Sequence, residues 1–428
     1  MSDAWETMTL GKAGVELIDC VHATPKPAPI GYPYIAIPEM KDGRLNFDAA
    51  RKITSDDFVA WTRKARPRRH DVVLSRRTNP GVTAPVGEQA DFALGQNLVL
   101  LRTDGTRVAP EFLRWLVSSP QWWNQIQKFM NVGAVFDSLK CADVPKFELP
   151  IPSKEAQANI ASVLSALDDK IELNRRMNET LEGMAQAIFR DWFVDFGPVR
   201  RKIALQGSAG RKAAGEADPV AIMGGLTPDP ARAAELAALF PAAFGDDGLP
   251  VGWSRRTVES IMELAYGKAL PKTVRKDGPY PVYGSGGISG THSIPLASGP
   301  GIIVGRKGTV GSLYWEAGDF FAIDTVFYVV PKDGVRLNFA WYLLQTLGLE
   351  NMNTDAAVPG LNRGNAYRLE FAYGGAPLLE AFEAFVGPLR ARQDACNAET
   401  RTLAETRDYL LPRLMSGAVR VAPKVEAA

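Results

Sequence analysis

The chain has 428 residues, with 49 lysines and arginines against 48 aspartates and glutamates, for a formal charge of +1. That length exceeds what one hydrophobic core fills, so two or more domains are expected, and any polyanion would have to be held by local basic patches rather than by overall charge. Three scattered cysteines, Cys20, Cys141 and Cys396, exclude a disulfide framework, and no apolar run reaches the roughly 18 to 20 residues of a membrane span. Residues 1–10 lack the basic and apolar regions of a secretory leader, so a cytoplasmic, membrane-free protein is expected.

The elements come twice, at an offset of about 225 to 230 residues. Trp5 precedes Leu10 by five positions, and Trp253 precedes Val258 by five; each pair opens a half. Residues 71–77 (DVVLSRR) are echoed by 301–307 (GIIVGRK): an apolar run, a turn residue and a basic pair, which predicts a buried strand entering a loop. Phe92, Ala93 and Leu94 correspond to Phe321, Ala322 and Ile323, each leading into a further strand at 98–101 and 327–330. Phe112, Trp115 and Leu116 correspond to Phe339, Tyr342 and Leu343, at the spacing of an amphipathic helix.

Each half ends in a long helical seam. The first opens at Ser153, a candidate cap with Glu155 in the first turn, and steps by four and three through Ile160, Leu164, Leu167, Ile171, Asn174, Asn178, Leu181, Ala185 and Ile188. The second steps through Phe382, Val386, Leu389, Gln393, Cys396, Thr400, Leu403, Arg407, Leu410 and Leu414. Both seams are polar in the middle, and two such seams in one chain most simply pair, with Asn174 and Asn178 facing Gln393 and Thr400 to fix the register. Between the first seam and the second half, the Ala-, Gly- and Pro-rich stretch from Gly197 to Gly248 predicts a linker with one short helix at 230–239.

Catalytic motifs are missing from this reading. The glycines at 301–305 lack the spacing and the Lys-Ser/Thr pair of a phosphate loop, and those at 284–290 miss a dinucleotide fingerprint. His22, His70 and His292 have no neighbours at metal-ligand spacing, so no metal is expected. A binding protein is favoured. In the first half, Arg63, Lys64, Arg66, Arg68, Arg69, Arg76 and Arg77, with Asn79 beside them, form the candidate DNA patch. In the second half the candidates are Lys268, Lys272, Arg275, Lys276, Arg306 and Lys307, with Ser285 and His292 in or at the end of a Gly- and Ser-rich loop. A basic cluster is ordinarily a solvated face; recurrence at matching places in two repeats favours DNA contact.

Residues 149–160 (LPIPSKEAQANI), 167–174 (LDDKIELN) and 188–197 (IFRDWFVDFG) resemble the central region of the specificity subunits of type I restriction-modification enzymes. Residues 410–417 (LLPRLMSG) are similar to the distal ending of that family, and 280–311 to one recurrent type of its recognition domain. The resemblance implies an α+β protein. It would place a target-recognition domain at 1–150, a helix at 151–196, a linker at 197–249, a second recognition domain at 250–375, a helix at 376–417 and a tail at 418–428. It implies that each domain reads half of a bipartite target in double-stranded DNA, while the helices form an antiparallel coiled coil. A helix of about 40 residues spans about 60 Å, so the pair would act as a ruler between half-sites. Ile160, Leu164, Leu167, Ile171, Asn174, Leu181 and Ile188, with Phe382, Val386, Leu389, Leu403 and Leu410, would carry the coiled coil and partner contacts. Two modification subunits would bind S-adenosylmethionine and methylate adenine, and restriction subunits would use ATP and Mg; no cofactor is expected in this chain. The alternatives are a specificity factor of a modification-only or phage-defence system, and a non-catalytic coiled-coil adaptor.

Overall fold

The computed structural model describes residues 5–131, 137–209, 218–332, 334–352 and 360–421. It divides into two units: residues 1–173 with 399–428, and residues 174–398. Each unit holds one head and a stretch of each long helix.

In the first head, Glu6–Thr9 pairs antiparallel with Glu148–Ile151. A four-stranded antiparallel sheet has the order Val15–Ile18, Leu98–Thr103, Val72–Ser75, Thr83–Pro85. A third sheet places Tyr32–Ile35 between Arg51–Ile53, antiparallel to it, and Ala93–Leu94, parallel to it. The second head repeats this plan. Ser254–Thr257 pairs with Glu370–Tyr373. The four-stranded sheet runs Met262–Tyr266, Val326–Pro331, Gly301–Gly305, Leu313–Glu316. Tyr280–Gly284 lies between Gly287–His292, antiparallel, and Phe321–Ala322, parallel.

The central strands are apolar at successive positions because both faces of their sheet are covered. Val72, Leu74, Val99 and Leu101 pack on Phe112, Leu113 and Trp122, from the helices Pro110–Leu116 and Pro120–Phe129. Val73, Leu98 and Leu100 face the other way, onto Ile35, Phe92 and Leu94. In the second head, Ile302, Val304, Phe327 and Val329 pack on Phe339 and Leu343 of Leu337–Thr346, while Ile303 and Val326 meet Tyr283, Phe320 and Ala322.

The loops leaving the two central strands close alike. Ser75 N donates to Val82 O (2.9 Å) and Gly81 N to Ser75 O (3.0 Å); Gly305 N donates to Ser312 O (2.7 Å) and Gly311 N to Gly305 O (2.8 Å). Gly311 has φ +72°, and a Cβ there would lie 2.3 Å from Glu350 N, so only glycine fits.

The central helix runs Lys154–Phe189 and continues in a π-helical turn, Arg190–Val194; the distal helix runs Ala376–Met415. Ser153 Oγ accepts from Ala156 N (3.3 Å) at the start of the central helix. Within each unit the helices run antiparallel. In the first unit, Asp168 accepts from Arg407 (2.8 Å) and Lys170 meets Glu399 (3.2 Å), with Ile160 and Leu164 in one cluster with Leu414 and Met415. In the second unit, Asn174 donates to Cys396 O (3.5 Å), Asn178 to Asn397 Oδ1 (2.6 Å) and Gln393 to Asn178 O (3.1 Å). Along the seams, Ile160, Leu164, Ile171, Asn174, Leu181, Phe382 and Val386 are buried, and Leu167, Ile188, Leu389, Leu403 and Leu410 are half-buried.

The segment 197–249, expected to be a linker with one short helix, carries three among its described residues: Gly197–Ala209, Pro219–Ile222 and Pro230–Ala238. Asp218 and Asp229 cap the last two, accepting from Val220 N and Ala231 N (both 3.0 Å), with proline at the first helical position, where its missing N–H costs nothing. Ile222, Leu236 and Phe240 belong to the same core as Trp192 and Phe193, and Trp192 meets Phe240 edge-on at 5.3 Å. Residues 210–217 of that segment, and 422–428 of the expected tail, lie outside the described residues.

A polar hub joins the second head to its helices. Glu182 of the central helix accepts from Tyr342 OH (3.0 Å), Trp341 Nε1 (3.3 Å) and Gln393 Nε2 (3.2 Å), and pairs with Arg390 of the distal helix (3.4 Å). The Arg390 guanidinium lies 4.5 Å from the Trp315 ring centroid. Burial pushes the Glu182 carboxyl up, but the hydrogen bonds from Gln393, Trp341 and Tyr342 and the charge of Arg390 outweigh it and hold the group below its ordinary value. A depressed carboxyl contributes stability above its unfolded pKa and loses it as pH falls through the folded one. Acidification below about pH 4.5 should therefore lower the thermal midpoint of the native chain more than that of Glu182→Gln; equal losses would remove Glu182 from this role. Glu182→Ala, which leaves Arg390 buried without its partner, should cost about 3 kcal/mol. Gly311→Ala should cost more than about 1 kcal/mol; both are read from calorimetric unfolding.

Candidate nucleic-acid interface

A strand buried on both faces can present polar side chains only beyond its ends. At the end of Val72–Ser75 stand Arg76, half-buried, and the exposed Arg77, Thr78 and Asn79; at the end of Gly301–Gly305 stand Arg306, half-buried, and the exposed Lys307, Gly308 and Thr309. Each loop is tied to the turn before the neighbouring strand: Arg76 N donates to Asn97 O (3.0 Å), and Arg306 N and Lys307 N to Thr325 O (2.9 and 3.0 Å). Arg77 bridges to Ser138 and Lys307 to Gly360. Two heads thus hold a basic pair in one backbone frame.

The sequence groups Arg63, Lys64, Arg66, Arg68 and Arg69 with Arg76 and Arg77, but the fold parts them. The first five precede the strand Val72–Ser75 and the last two follow it, so its four residues, at about 3.3 Å each, set the groups about 13 Å apart. Arg66 and Arg69 pair with Asp91 (3.2 Å) and Glu88 (3.1 Å). Arg63, Lys64 and Arg68 are exposed. The buried Asp71 holds Arg102 through both oxygens (2.6 and 2.8 Å) and accepts from Arg68 N (2.8 Å), which fixes the turn into the strand.

In the second head, Lys268, Lys272 and Lys276 are exposed. Arg275 is turned inward, donating to Ser289 O (2.8 Å) and Leu270 O (3.3 Å). His292 is buried, its Nδ1 accepting from Lys276 N (3.1 Å) and its ring set edge-on to Phe321. Both therefore brace the strand Gly287–His292. Ser285 lies beside the basic loop: its carbonyl accepts from Ser312 Oγ (2.7 Å) and Tyr314 OH (3.0 Å).

The fold adds residues that the sequence reading left out. Tyr266, 47% exposed, carries two guanidiniums near its ring, Arg306 at 4.8 Å and Arg363 at 4.5 Å from the centroid. Arg363 comes from a helix, Arg363–Tyr367, far along the chain from Arg306, and no local pattern marks it. Gln96 and Asn97, and Asp324 and Thr325, stand at the turns that receive the basic loops; extending the Phe-Ala-Leu/Ile repeat by three residues reaches them.

Against the expectation that His22 has no ligand-type neighbours, one trio among the described residues brings such groups together: Asp19, Cys20 and His22. Its chemistry fits a brace instead. The His22 ring nitrogens lie 3.0 Å from Gln96 O and 2.9 Å from Asp19 Oδ2, the Cys20 thiol donates to Gly95 O (3.3 Å), and burial pushes that thiol up to about 11, against the thiolate a metal needs.

Residues 22–183 and 250–365 match the family described as the type I restriction modification DNA specificity domain, one match over each head. The specificity subunit of the type I restriction enzyme HindI from Haemophilus influenzae is 26% identical over 382 residues, covering 77% of this chain and 82% of that one. The MjaIX specificity subunit of Methanocaldococcus jannaschii is 37% identical over 95 residues, 22% of each chain. A crystal structure of the S subunit of a type I restriction-modification system from M. genitalium shares the fold, with a TM-score of 0.58 and 18% identity over 96% of both chains. With two heads on one plan, paired helices, and a profile match over most of its length, the chain belongs to the family of type I restriction-modification specificity subunits.

Proposed function

We propose that this chain reads a bipartite DNA target for a type I restriction-modification complex, one half-site per head, and performs no catalytic step itself. The observation that carries the reading is the repeated head, in which Arg76-Arg77 and Arg306-Lys307 emerge from the same strand into the same clamped loop. Cations fixed in this way suit phosphate contacts, which position a protein on the duplex, and guanidiniums can also reach guanine edges. Since the loops differ in sequence, the two half-sites should differ too. Residues 1–150 and 250–375 are the proposed recognition domains.

The paired helices are the proposed ruler and the landing for two modification subunits. Leu173 (54%), Met177 (36%) and Met184 (49%) are exposed on the central helix, and such apolar groups suit a protein partner. S-Adenosylmethionine and adenine methylation would belong to those subunits, ATP and Mg to the restriction subunits.

Replacing residues 1–150 with the first domain of another family member should change one half of the methylated motif and leave the other. Change in both halves would contradict separate reading. Lengthening both helices by two heptads should widen the unread gap in the same assay; an unchanged gap would show that the helices do not set it. Lys307→Ala should weaken binding of the complex to all duplexes about equally and reduce its log-affinity against log-salt slope by about 1.

A further inference from the structure

The turns that receive the basic loops have a second property. In the first head the backbone of 95–98 is tied on every side: Gly95 N donates to Ile35 O (2.6 Å), Leu98 N to Gly95 O (2.9 Å), Asn97 O accepts from Arg76 N (3.0 Å), and Gln96 O is held by the His22 ring (3.0 Å). The side chains of Gln96, exposed, and Asn97, half-buried, carry no partner among the described residues. Both line a cavity of about 310 Å³ with Thr24, Tyr34, Arg51 and Thr78. The second head ties the corresponding turn in the same manner: Ile323 N donates to Tyr283 O (2.9 Å), Val326 N to Ile323 O (3.1 Å), and Asp324 O accepts from Arg306 Nη1 (3.2 Å). There the exposed Asp324 carboxylate carries no partner among the described residues.

We propose that this turn is the base-reading element of each head, with Gln96 and Asn97 reading adenine in one half-site and Asp324 reading cytosine in the other. The inference rests on the function proposed above and deepens it. A carboxamide donates and accepts at once, which matches the N6 donor and N7 acceptor of adenine in the major groove; a carboxylate only accepts, which matches the cytosine N4 amine. A carboxylate beside Arg306 and Lys307 would repel a phosphate, so Asp324 is suited to a base and not to the DNA backbone. Clamped backbone lowers the entropy lost when these side chains engage.

The test compares methylated motifs made by the complete complex, wild type and variant, in a methylation-free host. Gln96→Ala with Asn97→Ala should relax one or two positions of one half roughly ten- to hundred-fold and leave the other half intact. Asp324→Asn, equal in size and so safe for folding, should move one position of the opposite half from cytosine toward adenine. An unchanged motif, or a uniform loss at every sequence, would overturn the proposal. A wild-type complex that methylates no split motif would instead overturn the function on which it rests.

Discussion

Val72–Ser75 and Gly301–Gly305 are covered on both faces of their sheets, and the placement of polar groups in each head follows from that constraint. A strand without a solvent face can offer nothing to a ligand along its length. Polar side chains are pushed to its ends, where the chain must turn. Those turns are then stiffened by backbone bonds to the neighbouring strand, so that Arg76 and Arg306 leave the core at the same point of the same frame.

The helices obey a different constraint. An all-apolar seam would pair in several registers, and buried amides remove that freedom, since a slip would leave them without partners. Asn174, Asn178 and Gln393 find theirs on the facing helix within the second unit, and Asp168 and Arg407 do so within the first. Glu182 extends the network into the second head through Tyr342, while Asp168, which also accepts from Arg114, does the same for the first. Each head is thus fastened to its own stretch of helix by a carboxylate at the junction.

The repeat was legible in the sequence because strands buried on both faces leave unbroken apolar runs, and 71–77 and 301–307 are hard to read otherwise. The helical seams were legible for the same reason, their period being set by burial. Nearness along 63–77 is not nearness in space: the strand Val72–Ser75 stands between Arg63, Lys64, Arg66, Arg68 and Arg69 on one side and Arg76 and Arg77 on the other. The segment 197–249 was read as linker because proline serves both loops and first helical turns; Pro219 and Pro230 do the latter, and only the buried Phe240 and Leu236 reveal the difference. The turns at 96–97 and 324–325 were passed over although they follow directly on the Phe-Ala-Leu/Ile repeat, because a short polar turn between apolar strands reads as a plain connection. Tyr266 and Arg363 meet only through the fold.

One frame, built twice, is proposed to address two different pieces of DNA. This is tested most directly by expressing the chain with the modification subunit of its system in a methylation-free host and sequencing the DNA with detection of modified bases. The expected result is a split motif with two unlike halves, methylated adenine in each, and a gap of fixed length. A continuous motif, or unmethylated DNA from an intact complex, would contradict it.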